Sequence, residues 1–219
     1  MLFRSKVEPF VECLDLRLEH LGEKHEEYLE ALYWVAWVKG DLNLLEDLCK
    51  RQLEWIGVKR VDSWAQVQKD RPDVPVDDLR RKVAKYLETL ARIGAVHFHL
   101  KHFEESLSRY EELELLQRDV LGDRHKEYLG TLGNIATLYG QLGKHKESLA
   151  RMEQLRLIQW DVLGPKHPNY LNTLYNMSTS CYNLNDFDQA LKLIDECIAG
   201  RREVLGPKHV RTLDRKSTR

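Results

Sequence analysis

The stretch Leu121-Gly122-Asp123-Arg124-His125 returns as Leu163-Gly164-Pro165-Lys166-His167 and again as Leu205-Gly206-Pro207-Lys208-His209. These copies stand 42 residues apart, and an earlier one, Leu21-Gly22-Glu23-Lys24-His25, opens the series. A constant period of this size marks a chain assembled from stacked copies of one small unit. Such an array buries its core between neighbouring units and leaves an extended surface. The first functional expectation is therefore binding, not catalysis.

Between the copies, apolar residues recur at the spacing of a helix face. Leu132, Ile135, Ala136 and Tyr139 stand at i, i+3, i+4 and i+7, and the same columns hold Leu90, Ile93, Gly94, His97 and Leu174, Met177, Ser178, Cys181. A second stripe follows in each period: Phe103, Ser106, Tyr110, Leu113, then His145, Ser148, Met152, Leu155, then Phe187, Ala190, Ile194, Cys197. Each period thus reads as two helices joined at turn residues such as Leu142-Gly143-Lys144. One column per helix stays small (Ala36, Gly94, Ala136, Ser178 in the first; Ser106, Ser148, Ala190 in the second), which lets neighbouring helices approach closely. The Leu-Gly-x-x-His string ends the second helix. Its glycine is expected in the left-handed conformation, and the proline of the last two copies blocks continuation. Its histidine is expected to cap or pack the turn.

The expected organisation is a truncated half-unit over 6–20, repeats over 21–62, 79–120, 121–162 and 163–204, and the start of another unit over 205–213. Tyr28 and Tyr86 lie 58 residues apart, 16 more than the period, so an inserted loop is placed at 63–78, where Arg71-Pro72-Asp73-Val74-Pro75 disfavours helix and Ser63 to Lys69 can form a short helical turn. The first helix of the first repeat breaks early, at Gly40-Asp41. Both ends look foreign to the array. Leu2-Phe3-Arg4-Ser5 is the translation of CTCTTCCGATCT, and Asp214-Arg215-Lys216-Ser217-Thr218-Arg219 that of GATCGGAAGAGCACACGT, two strands of one sequencing adapter. Residues 1–5 and 214–219 are accordingly expected to be adapter-derived, and the chain a piece of a longer protein.

The two-helix unit with small residues in both helices resembles the tetratricopeptide repeat. Tyr86-Leu87-Glu88-Thr89-Leu90, Tyr128-Leu129-Gly130-Thr131-Leu132 and Tyr170-Leu171-Asn172-Thr173-Leu174 each lead to a closing Val-Leu-Gly at 120–122, 162–164 and 204–206, which is similar to the long repeat of the kinesin light chain and its relatives. The resemblance implies an all-α fold, a right-handed α-solenoid of antiparallel helix pairs, that binds a peptide or partner domain on a concave face lined by first helices. Residues off the packing stripe are expected there: Tyr33, Trp34 and Trp37; Glu88 and Arg92; Asn134, Thr137 and Gln141; Asn172, Tyr175, Asn176, Thr179 and Asn183. Asn134 and Asn176 match the second asparagine of the family's Leu-Asn-Asn-Leu-Ala string, while Gly133 and Tyr175 replace the first. Some relatives clamp a C-terminal carboxylate with a lysine–asparagine pair; the matching columns here read Tyr33/Trp37, Ala91/Ala95 and Gly133/Thr137, which disfavours that ligand.

Composition narrows the partners. Lys+Arg 34 against Asp+Glu 35 gives a net charge of -1, so neither nucleic acid nor an anionic membrane surface is expected to bind. The longest apolar run, Ala31 to Val38, falls far short of the ~18 residues that span a bilayer. Cys13, Cys49, Cys181 and Cys197 form no C-x-x-C pair and suit packing in a reducing cytoplasm. His97, His99 and His102 stand at i, i+2 and i+5, a spacing that does not share one helix face, so no metal and no other cofactor is expected. Phosphate-loop, H-E-x-x-H and G-x-S-x-G strings are missing, and no enzyme activity is expected. The expected function is a non-catalytic interaction scaffold, of the kinesin light chain-like adaptor kind. The alternative is a recognition or regulatory array of a larger enzyme. End-to-end self-association through the terminal repeats is a further expectation.

Overall fold

A computed structural model describes residues 14–23 and 25–205, apart from the side chains of Trp37 and Leu205. The expected adapter segments, most of the 6–20 half-unit and nearly all of 205–213 lie outside the described residues. Helices follow one another as α1 (14–21), α2 (Glu26–Lys39), α3 (Leu42–Ile56), α4 (Trp64–Asp70), α5 (Val76–His99), α6 (Phe103–Leu121), α7 (Lys126–Gln141), α8 (His145–Leu163), α9 (Pro168–Asn183) and α10 (Phe187–Leu205), with no strand among the described residues. The fold class is all-α, built from helix pairs. The chain divides into two compact units, 1–123 and 124–219.

In the first unit α2 packs on α3, α3 on α5, and α5 on α6. Tyr28, Leu29, Leu32 and Leu48 form a buried cluster, with Leu14, Leu18, Tyr33, Leu44 and Trp55 packed around it. In the second unit α7 packs on α8, α8 on α9, and α9 on α10. Its core runs from Tyr128, Leu129, Leu132 and Leu155 to a larger cluster of Met152, Tyr170, Leu174, Met177, Cys181, Leu193 and Cys197. Helices of 14 to 24 residues are marginal alone in water. Burial of their stripes, at roughly 1.5–3 kcal/mol for each large apolar side chain, is what holds them.

The small columns explain how the pairs close. A Cβ added to Gly94 would stand 2.9 Å from Cε2 of Tyr110. Ser106 Oγ donates to the Gly94 carbonyl at 2.8 Å, and Ser148 Oγ donates to the Ala136 carbonyl at 2.7 Å. Each hydroxyl reaches the neighbouring backbone only because its own column and the facing one are small.

The turns repeat as faithfully as the stripes. At the end of each first helix an N–H bonds the carbonyl five residues back: Asp41 to Ala36, His102 to His97, Lys144 to Tyr139 and Asp186 to Cys181. The residue before each donor has positive φ, at Gly40, Lys101, Gly143 and Asn185, the signature of a left-handed helix stop. The glycines of two Leu-Gly-x-x-His copies differ from the expected left-handed form. Gly122 (φ 93, ψ 160) and Gly164 (φ 82, ψ 165) occupy an extended region with positive φ that only glycine enters cheaply. This turns the chain sharply enough for the histidine to cap the next helix. His25, His125 and His167 each accept through Nδ1 from the N–H two residues ahead, at 3.3, 3.3 and 3.1 Å. Pro168 then takes the first helical position of α9, where its missing N–H costs nothing.

Within the segment 63–78 a short helix, α4, is followed by a turn that carries both prolines. Ser63 caps α4, only Arg71 to Pro75 separates it from α5, and α5 starts at Val76. Arg71 holds this turn. Its guanidinium pairs with Asp73 at 3.0 and 2.8 Å and donates to the Ile56 carbonyl beside Gly57, the left-handed stop of α3. The pairing draws the Asp73 carboxyl down to about 2.

Candidate functional site: a groove in the second unit and a polar ladder in the first

In the second unit, α7 and α9 stand side by side with α8 behind them, leaving a groove of about 480 Å³. Its floor is apolar: Leu129 from α7, and Leu155, Val162 and Leu163 from α8. Gly130 and Gly133 on α7 present no side chain to it, so the departure from the family's asparagine at 133 widens the space. The walls are amides and hydroxyls. Asn134 and Thr137 come from α7, and Asn172, Thr173 and Asn176 from α9, in register on successive turns.

Hydrogen bonding separates the structural groups from the free ones. Thr173 Oγ1 donates to Gln159 Oε1 at 2.8 Å, and both are buried. Asn172 Oδ1 accepts from Arg201 at 3.0 Å, and the Arg201 guanidinium lies 5.3 Å from the centre of the Tyr175 ring. Thr137 Oγ1 turns back to the Gly133 carbonyl at 2.9 Å. The side-chain amides of Asn134 and Asn176 make no hydrogen bond to any described residue, so both are available to a ligand. An amide offers a donor pair and an acceptor, which matches the alternating groups of an extended peptide backbone.

Of the residues expected on this face, Asn134, Thr137, Asn172 and Asn176 line the groove together. Gln141, Thr179 and Asn183 are exposed but do not line it, and Tyr175 turns to Arg201 instead. The α8 floor and the rim groups Arg124, Lys126, His167 and Asn169 were not anticipated. The α8 contribution had a signal: Gln117, Gln159 and Arg201 are spaced by the period, and all three are buried.

The matching face of the first unit is built differently. Lys85 of α5 bonds Glu26 and Glu30 of α2 at 2.8 and 2.7 Å, and Arg81 also reaches Glu26. Burial works against the Lys85 charge, but its two carboxylate bonds outweigh this and hold its pKa above the ordinary value. The bond from Lys85 lowers that of Glu26. Tyr33 donates to Glu88 at 2.9 Å and accepts from Arg92 at 2.7 Å. Burial, opposed by the Arg92 bond and reinforced by the Glu88 bond, pushes the Tyr33 phenol up to about 12. Three expected site residues therefore bind one another here. Trp34 meets Tyr33 edge-on and remains about half exposed, while the Trp37 side chain lies outside the described residues.

Other reactive side chains are accounted for by packing. Burial raises the thiol pKa values of Cys49, Cys181 and Cys197, that of Cys49 to about 12. His97 and His102 have ring centres 5.9 Å apart, and no group of three metal-ligating side chains is found among the described residues. No helix among the described residues is long and apolar enough to cross a membrane.

Comparison with known proteins agrees with this architecture. Residues 86–159 and 141–203 match the family model for the tetratricopeptide repeat. Among solved structures, two crystal structures show nearly identical TPR-like repeats of a Podosopora anserina protein assigned as a kinesin light chain. One, a single-substitution form, shares 15% identity at a TM-score of 0.64, covering 93% of this chain and 88% of that one. The other shares 15% at 0.62, covering 92% and 88%. BtubC (BKLC) from P. vanneervenii is similar at 14% identity and a TM-score of 0.53, covering 92% and 91%. No curated protein sequence matches the chain.

Proposed function

The chain belongs to the tetratricopeptide repeat family, and from that premise we propose that it is a non-catalytic cytoplasmic scaffold that holds an extended peptide in the groove between α7 and α9, as an adaptor of the kinesin light chain-like kind. The observation that carries this reading is the pair Asn134 and Asn176. Both amides face one groove from opposite walls, and neither is committed to the fold. Two asparagines a period apart can fix a peptide through its backbone, while Leu155 and Val162 below receive an apolar side chain. Recognition of this kind tolerates many sequences, as an adaptor requires.

The test is a random-peptide display selection on the whole chain, followed by titration of the selected peptides. Each amide–backbone bond contributes about 0.5–1.5 kcal/mol, so Asn134→Ala with Asn176→Ala is expected to weaken binding by about tenfold or more without changing the unfolding midpoint. If every selected peptide binds the double variant as tightly as the parent, the groove is not the site.

A further inference from the structure

Two glycines of the groove serve no purpose in the fold. Glycine in a helix interior is weaker than alanine, so each one kept there has a reason. For Gly94 and Gly200 the reason is packing: an added Cβ would stand 2.9 Å from Cε2 of Tyr110 and 2.5 Å from Cδ2 of Leu171. Gly130 and Gly133 are different. Nothing lies within 4 Å of a Cβ added at Gly130, and one added at Gly133 would meet Cδ2 of Leu155 at an ordinary 3.6 Å. Neither has the positive φ that favours glycine. The two stand at i and i+3 on α7, on the same face as Asn134 and Thr137, and all four line the groove. One period earlier the same columns hold Glu88 and Ala91, and one period later Asn172 and Tyr175.

The two walls are therefore unequal. On α9 Asn172 and Tyr175 engage Arg201, whereas α7 exposes bare backbone beside Leu155. Glycine at such a place lets another group come close to the main chain. The surroundings decide which group. Leu129, Leu155 and Val162 lie there, and the peptide groups of a helix interior are already bonded along the helix. A charged or amide side chain would lose water and gain no partner. A small side chain would leave the recess unfilled and forfeit contact with its lining. A large apolar side chain fills it. We propose that Gly130 and Gly133 determine the specificity of the groove, which takes a peptide with one large apolar side chain laid against the bare backbone of α7, above Leu155. This inference rests on the peptide-binding reading of the groove and adds side-chain size to it.

The probes are peptides selected by random-peptide display on the whole chain, each synthesised twice, with its largest apolar residue kept or replaced by alanine. Both versions are titrated into the parent and into Gly130→Ala with Gly133→Ala. The parent is expected to select one phenylalanine, leucine or similarly large apolar residue, and its replacement by alanine to weaken binding about tenfold or more. In the double variant two methyl groups occupy the recess. The preference for the large residue should then fall to about twofold, while the alanine versions bind as before. The variant should also unfold at higher urea, so a lost preference is not a lost fold. Three results would each overturn the proposal: selected peptides without a large apolar residue, an unchanged preference in the double variant, or an equal loss for both versions of the peptide. The last would put the ligand's main chain, not a side chain, against α7. The asparagine variants separate the two readings. If Asn134→Ala with Asn176→Ala leaves the peptides bound as tightly as before, the groove reading falls and this inference with it. If that pair weakens them while the glycine variant keeps the preference, this inference alone falls.

Discussion

At the residue scale, the same substitution carries opposite signs at two glycines. Gly94 sits in the small column under Tyr110, and a methyl there would stand 2.9 Å from the ring. Gly130 lies on the open wall of the groove, with nothing within 4 Å of an added Cβ. Both are helical, so alanine lowers the backbone entropy lost on folding in each case, a gain of about 0.5–1 kcal/mol. At Gly94 the overlap with a buried ring costs about 1–3 kcal/mol and outweighs that gain. Gly94→Ala should therefore lower the urea midpoint and Gly130→Ala should raise it. Matching shifts of one sign would show that packing against Tyr110 is not what holds Gly94. Helical periodicity placed Gly94 in a small column, but it could not say that a tyrosine sixteen residues on would close over it.

At the element scale, the Leu-Gly-x-x-His string is a joint between helices. Its glycine releases the chain from the second helix, and its histidine begins the next first helix by accepting from that helix's N–H. His167→Ala removes the side-chain acceptor that caps α9 and should cost about 1 kcal/mol, whereas His167→Asp, which keeps an acceptor, should restore most of it. Hydrogen exchange in the first turn of α9 is the direct measurement. Equal protection in both variants would mean that the cap contributes nothing. The helix pairs, their stops and this joint were legible because they rest on local spacing and on glycine and proline chemistry. The glycine conformation was misread as left-handed because the ψ that follows a positive φ is set by where the next helix packs. In the stretch 63–78 the prolines marked the turn, but not what holds it. Its prolines occupy a turn and a helix boundary, and Arg71 anchors it to α3 by a contact fifteen residues away in the chain.

At the scale of the whole molecule, two units built on one pattern present different chemistry. The first unit ties its face together with ion pairs, and the second leaves uncharged amides open. Salt screens exposed charges more than about 10 Å apart at 0.1 M, and amide bonds are little affected. Raising salt should thus weaken the binding of uncharged groove peptides only slightly. A steep salt slope would show that charge, and not the amides, holds the peptide. The net charge of -1 hides this division, because balance over the chain says nothing of where the charges meet. The amino-acid sequence by itself determined the period, the helix pairs, the small columns and the family, since these follow from local spacing repeated three times over. The tertiary structure decided which exposed residues share a site. Asn134 and Asn176 were brought to one groove, Tyr33 was taken up by Glu88 and Arg92, and Gln52 was left with a buried acceptor, because those outcomes depend on distances between helices that no spacing along one helix encodes.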